Sequence, residues 1–82
     1  MRYAIEVRSE IRALRAEAVI RDETGAMVAG WRVDPDGDDW AVTDHKGATI
    51  SRHERWDDAA ERTVLLAAEH VNRHLRTAPL VP

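Results

Sequence analysis

Cysteine is absent from this 82-residue chain, which excludes a disulfide, a thiolate metal site and a thiol nucleophile. Phenylalanine is absent too, and the large aromatics reduce to Trp31, Trp40, Trp56 and Tyr3. The apolar fraction of 44% therefore overstates the core material, because thirteen of those residues are Ala. Burying a large aliphatic side chain contributes about 1.5–3 kcal/mol and burying Ala much less. Chains this short gain little from one core and often depend on a metal or a partner subunit. The expectation is one domain over residues 1–78, with residues 79–82 as a frayed tail, that self-associates or depends on a partner.

No apolar run approaches the roughly 18 residues of a membrane span. The opening Met1-Arg2-Tyr3-Ala4-Ile5-Glu6 lacks the apolar segment of a secretory signal, so a cytoplasmic address is expected. Glutamine is missing, and asparagine and lysine occur once each against eleven arginines. That coding bias fits a GC-rich bacterial or phage genome.

What is abundant is acid, and it is unevenly placed. Residues 34–61 hold nine acids (Asp34, Asp36, Asp38, Asp39, Asp44, Glu54, Asp57, Asp58, Glu61) and three bases (Lys46, Arg52, Arg55), a formal charge of −6. Residues 1–33 come to +1 and residues 62–82 to +2. A near-neutral frame carrying one negative block favours a basic partner and repels phosphate.

Tyr3, Ile5 and Val7 alternate with charged neighbours, the period of a half-buried strand. Residues 10–18 are open to two readings. Ile11, Leu14 and Ala18 fit a helical stripe with Ser9 as N-cap, whereas Leu14, Ala16, Ala18 and Ile20 alternate as a strand from about residue 13, the preferred reading. Asp22-Glu23-Thr24-Gly25 is a turn. Met27, Ala29, Trp31 and Val33 alternate, and Asp34-Pro35-Asp36-Gly37-Asp38 turns the chain again. Trp40 and Val42 start a strand, Asp44-His45-Lys46-Gly47 turns it, and Ala48 to Arg52 returns. Short turns make such strands antiparallel neighbours. Gly30, inside a strand, marks a bulge or a close approach.

A helix follows, with Asp57 or Asp58 as N-cap, Asp58 and Glu61 at capping-box spacing, and Arg73, His74 and Arg76 toward its negative end. Its stripe is Ala60, Val64, Ala67, Val71 and Leu75, flanked by Ala59, Leu65 and Ala68. The fold class is α+β, an antiparallel meander of four to five strands with one C-terminal α-helix packed on one face. Trp31 and Trp40 are expected close together over the sheet–helix seam.

No catalytic constellation emerges, and no cofactor or metal is expected. Asp34, Asp36 and Asp38 begin like a calcium loop, but Asp39 and His45 stand where Gly and Glu are required. His70 and His74 share a helix face, yet zinc needs a further ligand, with His45, His53 or Glu69 to be brought near. Ser51 and His53 share a strand face with Asp44 one strand away, and a triad needs geometry that spacing does not supply.

Gly30-Trp31-Arg32-Val33 with Trp40-Ala41-Val42 resembles the arm-binding domains of phage-type integrases. An αβββα reading with residues 10–18 helical resembles a double-stranded-RNA-binding domain. Either resemblance implies a DNA- or RNA-binding domain using a sheet face that bears Arg15, Arg21, Arg32 and Arg52. Charge argues against direct nucleic-acid binding, which requires Lys and Arg on phosphates where this helix opens Asp57-Asp58. Trp40-Ala41-Val42-Thr43-Asp44-His45-Lys46-Gly47, a short strand, and Asp57-Asp58-Ala59-Ala60 together resemble HicB-type antitoxins. Thr43 stands where that family has Pro, its Gly-Asp-Thr before the helix is missing, and the spacing from Gly47 is one residue longer.

The sequence expectation is a non-enzymatic protein-binding module, an inhibitor of a nucleic-acid-binding protein of the anti-CRISPR or anti-restriction type. It would meet a basic protein surface through Asp34, Asp36, Asp38, Asp39, Asp57 and Asp58. A homodimer is compatible with the small core. The competing reading takes the same acids as solvation and helix capping, with an exposed sheet edge or the outward faces of Trp31 and Trp56 as the functional surface.

Overall fold

The computed structural model describes residues 2–75. Five strands run β1 (Ala4–Glu10), β2 (Arg15–Arg21), β3 (Met27–Asp36), β4 (Asp39–Asp44) and β5 (Thr49–His53). They form one antiparallel sheet in sequence order. Helix α1 (Trp56–His70) follows, continued by a π-helical turn at Val71–Leu75. The tail expected at 79–82, and Arg76 at the helix end, lie outside the described residues.

The α+β meander read from the pattern is the fold, and the ambiguous segment holds no helix, with strand from Arg15 rather than from about residue 13. Glu10 and Arg15 close the β1–β2 ladder, leaving Ile11–Leu14 as its loop. That loop ends on Leu14 at φ 51°, a left-handed conformation that costs a residue with a Cβ roughly 1 kcal/mol.

The β3–β4 turn is tighter than expected. Asp34, Pro35 and Asp36 belong to β3, and only Gly37 and Asp38 connect β3 to β4. Proline is tolerated because pairing with β2 ends at Arg32, so no ladder on that side calls for the missing N–H. Gly37 takes φ 62°, as the first central residue of a type II′ hairpin turn must.

The remaining two connections use one device twice. Asp22-Glu23-Thr24-Gly25-Ala26 and Asp44-His45-Lys46-Gly47-Ala48 share the pattern Asp-x-x-Gly-Ala. Asp22 Oδ1 accepts from the N–H groups of Thr24 (2.9 Å) and Ala26 (3.1 Å). Asp44 Oδ1 accepts from those of Lys46 and Ala48, both at 2.9 Å. Gly25 and Gly47 supply the positive φ that each turn needs.

Register places Ala16, Ala18, Ile20, Ala29, Trp31, Val33 and Val42 on the face under α1, and they form its buried core with Ala59 and Ala67. The helix lies over β2, β3 and β4, with β1 at its margin. Its buried line is Ala59, Thr63 and Ala67, one residue round from the expected stripe, and Val64 and Leu65 are exposed. The small Ala59 and Ala67 let the helix approach closely. Thr63 is admitted because its hydroxyl donates to the Ala60 carbonyl at 2.7 Å.

Three further expectations change. Arg55, not Asp57 or Asp58, is the N-cap residue, and among the described residues no side chain caps the helix. Trp56 packs against the core at the first helical position and so sets the start ahead of both acids. Trp31 and Trp40 share the helix face but not a neighbourhood. Trp31 lies opposite Asp44, four residues along β4 from Trp40, or about 13 Å at 3.3 Å per residue. Gly30 pairs regularly with Val19, and the bulge falls beside it at Ile20/Arg21. A Cβ there would meet only ordinary contacts, the nearest being Met27 Sδ at 3.4 Å.

Candidate functional site

The meander sends the β3–β4 turn and the β5–α1 junction to the same end of the sheet, because Trp40 pairs with His53. All six acids chosen from the sequence therefore lie toward one end, but they are not equivalent. Asp34 Oδ2 is 3.0 Å from Arg32 Nε, and Asp36 Oδ2 is 3.1 Å from Arg52 Nε. Asp57 accepts two bonds from Arg55, at 3.1 and 3.0 Å. The Arg55 hydrogen bond holds the Asp57 carboxyl below the usual carboxylate value, its charge adding to the effect. Asp38, Asp39 and Asp58 have no cationic partner among the described residues.

Asp39 is also placed directly opposite Asp36 across the β3–β4 ladder. Like charges opposite one another in a sheet are destabilising, and Arg52 offsets only the Asp36 member. Glu54 and Glu61, exposed beside the helix start, enlarge this acidic end. Trp40 and Trp56 sit half-buried behind it, and the Trp56 indole N–H is buried with no acceptor among the described residues. Sequence reasoning could not single out that N–H, since its isolation depends on packing.

Asp44 leaves the block. Its carboxylate lies at the opposite end of β4, pulled below the ordinary carboxylate value first by the Ala48 N–H and then by that of Lys46. Asp22 is lowered in the same way, chiefly by the Thr24 hydroxyl. The Thr43-Asp44-His45-Lys46-Gly47 segment behind the antitoxin resemblance is thus one of two copies of a turn device that this fold uses for its own connections.

The Arg-bearing face exists, on the side of the sheet away from α1, but apart from Arg15, which has no ion pair among the described residues, it is neutralised from within. Arg21 bonds Glu6 at 3.1 Å, and Arg32 and Arg52 take Asp34 and Asp36. Arg8 lies 3.8 Å from Glu17. A shallow groove there of about 340 Å³ is lined by Arg8, Arg15 and Arg32 and equally by Glu10, Glu17 and Asp34.

The catalytic and metal candidates do not assemble. Ser51 Oγ and His53 Nε2 share a hydrogen bond of 2.9 Å, but His53 pairs with Trp40, and Asp44 is four residues further along β4. The His70 and His74 rings lie 4.9 Å apart between centroids, inclined at 48°, and Glu69 is engaged by Arg73 at 2.6 Å. Among the described residues no group of three or more His, Cys, Asp or Glu could hold a metal. His70 instead packs edge-on to Trp31, at 5.5 Å. Trp31 is buried and offers no outward face to a partner.

Burial, followed by the neighbouring His74 and His45, holds the His70 imidazole below its ordinary value of 6.5. A histidine depressed in the folded state favours the neutral ring, so its contribution is fully present above about pH 6.5 and lost as pH falls through the folded value. The melting temperature is expected to fall from pH 7 toward pH 5, well before the carboxylates titrate. His70→Gln should flatten that slope; an equally steep slope in the variant would assign the acid sensitivity elsewhere.

Comparison with family models, curated proteins and solved structures returned no match. Among the described residues no helix is long and apolar enough to cross a membrane.

Proposed function

We propose that this chain is a small non-enzymatic binding module that engages a basic protein surface through its acidic end, as an inhibitor of a nucleic-acid-handling protein. The proposal assigns it to the cytoplasm, where such targets work. The observation that carries it is the Asp36–Asp39 pair beside the unpartnered Asp38. A fold needing only solubility gains nothing from like charges set opposite one another at a hairpin end, whereas a basic partner relieves their repulsion on binding. Glu54 and Asp58 extend the same field. Direct nucleic-acid binding draws less support, because Arg8, Arg21, Arg32 and Arg52 of the open face are paired with acids.

Stability and binding should respond to substitution with opposite signs. Asp38→Asn with Asp39→Asn removes the repulsion and leaves Arg32, Arg52 and Arg55 with their partners. Its melting temperature is expected to hold or rise, while capture of a partner from nuclease-treated lysate falls at least tenfold. Unchanged capture would overturn the acidic-end reading. Loss of all capture from the wild-type bait on nuclease treatment would turn attention to the open face.

A further inference from the structure

Strand β1 does not behave as a half-buried strand. Its residues Ala4–Glu10 are all exposed, including Ile5 at 41% and Val7 at 51%, although both point to the face that carries the core. Ile5 lies opposite the fully buried Ile20 and Val7 opposite Ala18, so the apolar surface runs off the edge of the sheet uncovered. Charged side chains, Lys above all, Pro or a bulge commonly blunt an edge strand. Here β1 has no Lys, Pro or bulge, its pairing with β2 is regular along its length, and its charges (Glu6, Arg8 and Glu10) alternate in sign on the face away from the core.

The charge order of β1 identifies what completes it. Two copies joined edge to edge by a two-fold axis normal to the sheet keep each face on its own side, so the axis must pass beside a residue. Centred on Glu6, the pairing sets Glu6 against Glu6 of the second copy. Centred on Arg8, it opposes the two Arg8 residues and sets Glu6 against Glu10. Centred on Val7, it places Val7 against Val7, Ile5 against Ser9, and Glu6 against Arg8 twice.

Centres on Ile5 or Ser9 also avoid like-charge pairs but overlap just three residues of each strand, so among registers that pair most of β1 the Val7 centre alone is free of them. It also continues a row already present, since Arg32, Glu17 and Arg8 are successive cross-strand partners. Adding Glu6 of the second copy makes the signs +, −, +, − across four strands.

We infer that this protein is a homodimer in which the two β1 strands pair antiparallel about Val7, forming a ten-stranded sheet with both helices on one face. Ile5 and Val7 of each copy then lie over the centre between the helices. The two-fold reverses strand direction, so the two acidic ends face opposite ways and each remains open.

Sedimentation equilibrium of the full chain from 1 μM to 1 mM should show reversible association from 9.3 kDa to twice that mass. Amide exchange of β1 should slow as concentration rises. Glu6→Arg gives a strand opposing Arg to Arg, and Arg8→Glu one opposing Glu to Glu. Each alone should weaken the dimer at least tenfold, with its circular dichroism unchanged.

An equimolar mixture of the two variants restores both opposite-charge pairs and should dimerise like the wild type. A wild type that stays at 9.3 kDa up to 1 mM overturns the dimer. Single variants that associate normally, or a mixture that stays monomeric, overturn this interface. Slowed exchange confined to some other element would do the same.

Discussion

Trp31→Ala is expected to remove a large share of the folding stability of the protein. Of the ten buried apolar residues among those described, six are Ala, so the few large side chains carry most of the core. Trp31 is the largest of them and touches both the cluster under the helix and the His70 ring. Truncating a buried Trp costs about 3–5 kcal/mol. A domain of this length has only about 4–12 kcal/mol in total, at 0.05–0.15 kcal/mol per residue.

Urea titration followed by circular dichroism would read the loss as a collapse of the midpoint. Trp56→Phe is the control, since removing the unpartnered indole N–H offsets part of the lost area and keeps the change within about 1 kcal/mol. Comparable midpoints for Trp31→Ala and wild type would mean that the core lies elsewhere.

The second large effect runs the other way, from too much side chain. Ala59 and Ala67 are fully buried at the seam between α1 and the sheet. Leu at either position adds a volume that the seam can admit only by lifting the helix, and overpacking of this kind costs about 1–3 kcal/mol per site. The two sites are eight residues apart, about 12 Å along the helix at 1.5 Å per residue. At that separation their costs add to within about 0.5 kcal/mol. Ala59→Leu with Ala67→Leu should therefore lose the sum of the single variants, whereas Ala68→Leu on the exposed flank should change little. A double variant as stable as the wild type would show that the seam has slack.

The strands were legible because they alternate against short turns, and Asp-x-x-Gly announced two of those turns. Pro35 misled, since a Pro between Asp residues reads as a turn unless one knows that β2 stops short of it. The helix stripe was misplaced because Val64 outranks Thr63 in hydropathy. Thr63 can be buried only because its hydroxyl finds a carbonyl within its own helix. The acidic end was legible as a block of charge, but its division into paired and unpaired acids was not. Arg32, Arg52 and Arg55 reach their carboxylates by strand register and side-chain reach, which charge counting along a chain does not contain. The exposure of β1 was illegible for a related reason, as it depends on how far the helix extends across the sheet.

The strand order has a kinetic consequence. Every strand pairs with its neighbour in sequence, across connections of four, five, two and four residues. Hairpins of this kind close in about 1–10 μs, and a topology of local contacts lowers the entropic barrier that slows most sheet proteins. The distant closure is the docking of α1 onto β2, about forty residues earlier in the chain. The sheet can therefore zip hairpin by hairpin, and the cooperative step is the arrival of the helix with Ala59 and Ala67 at the seam.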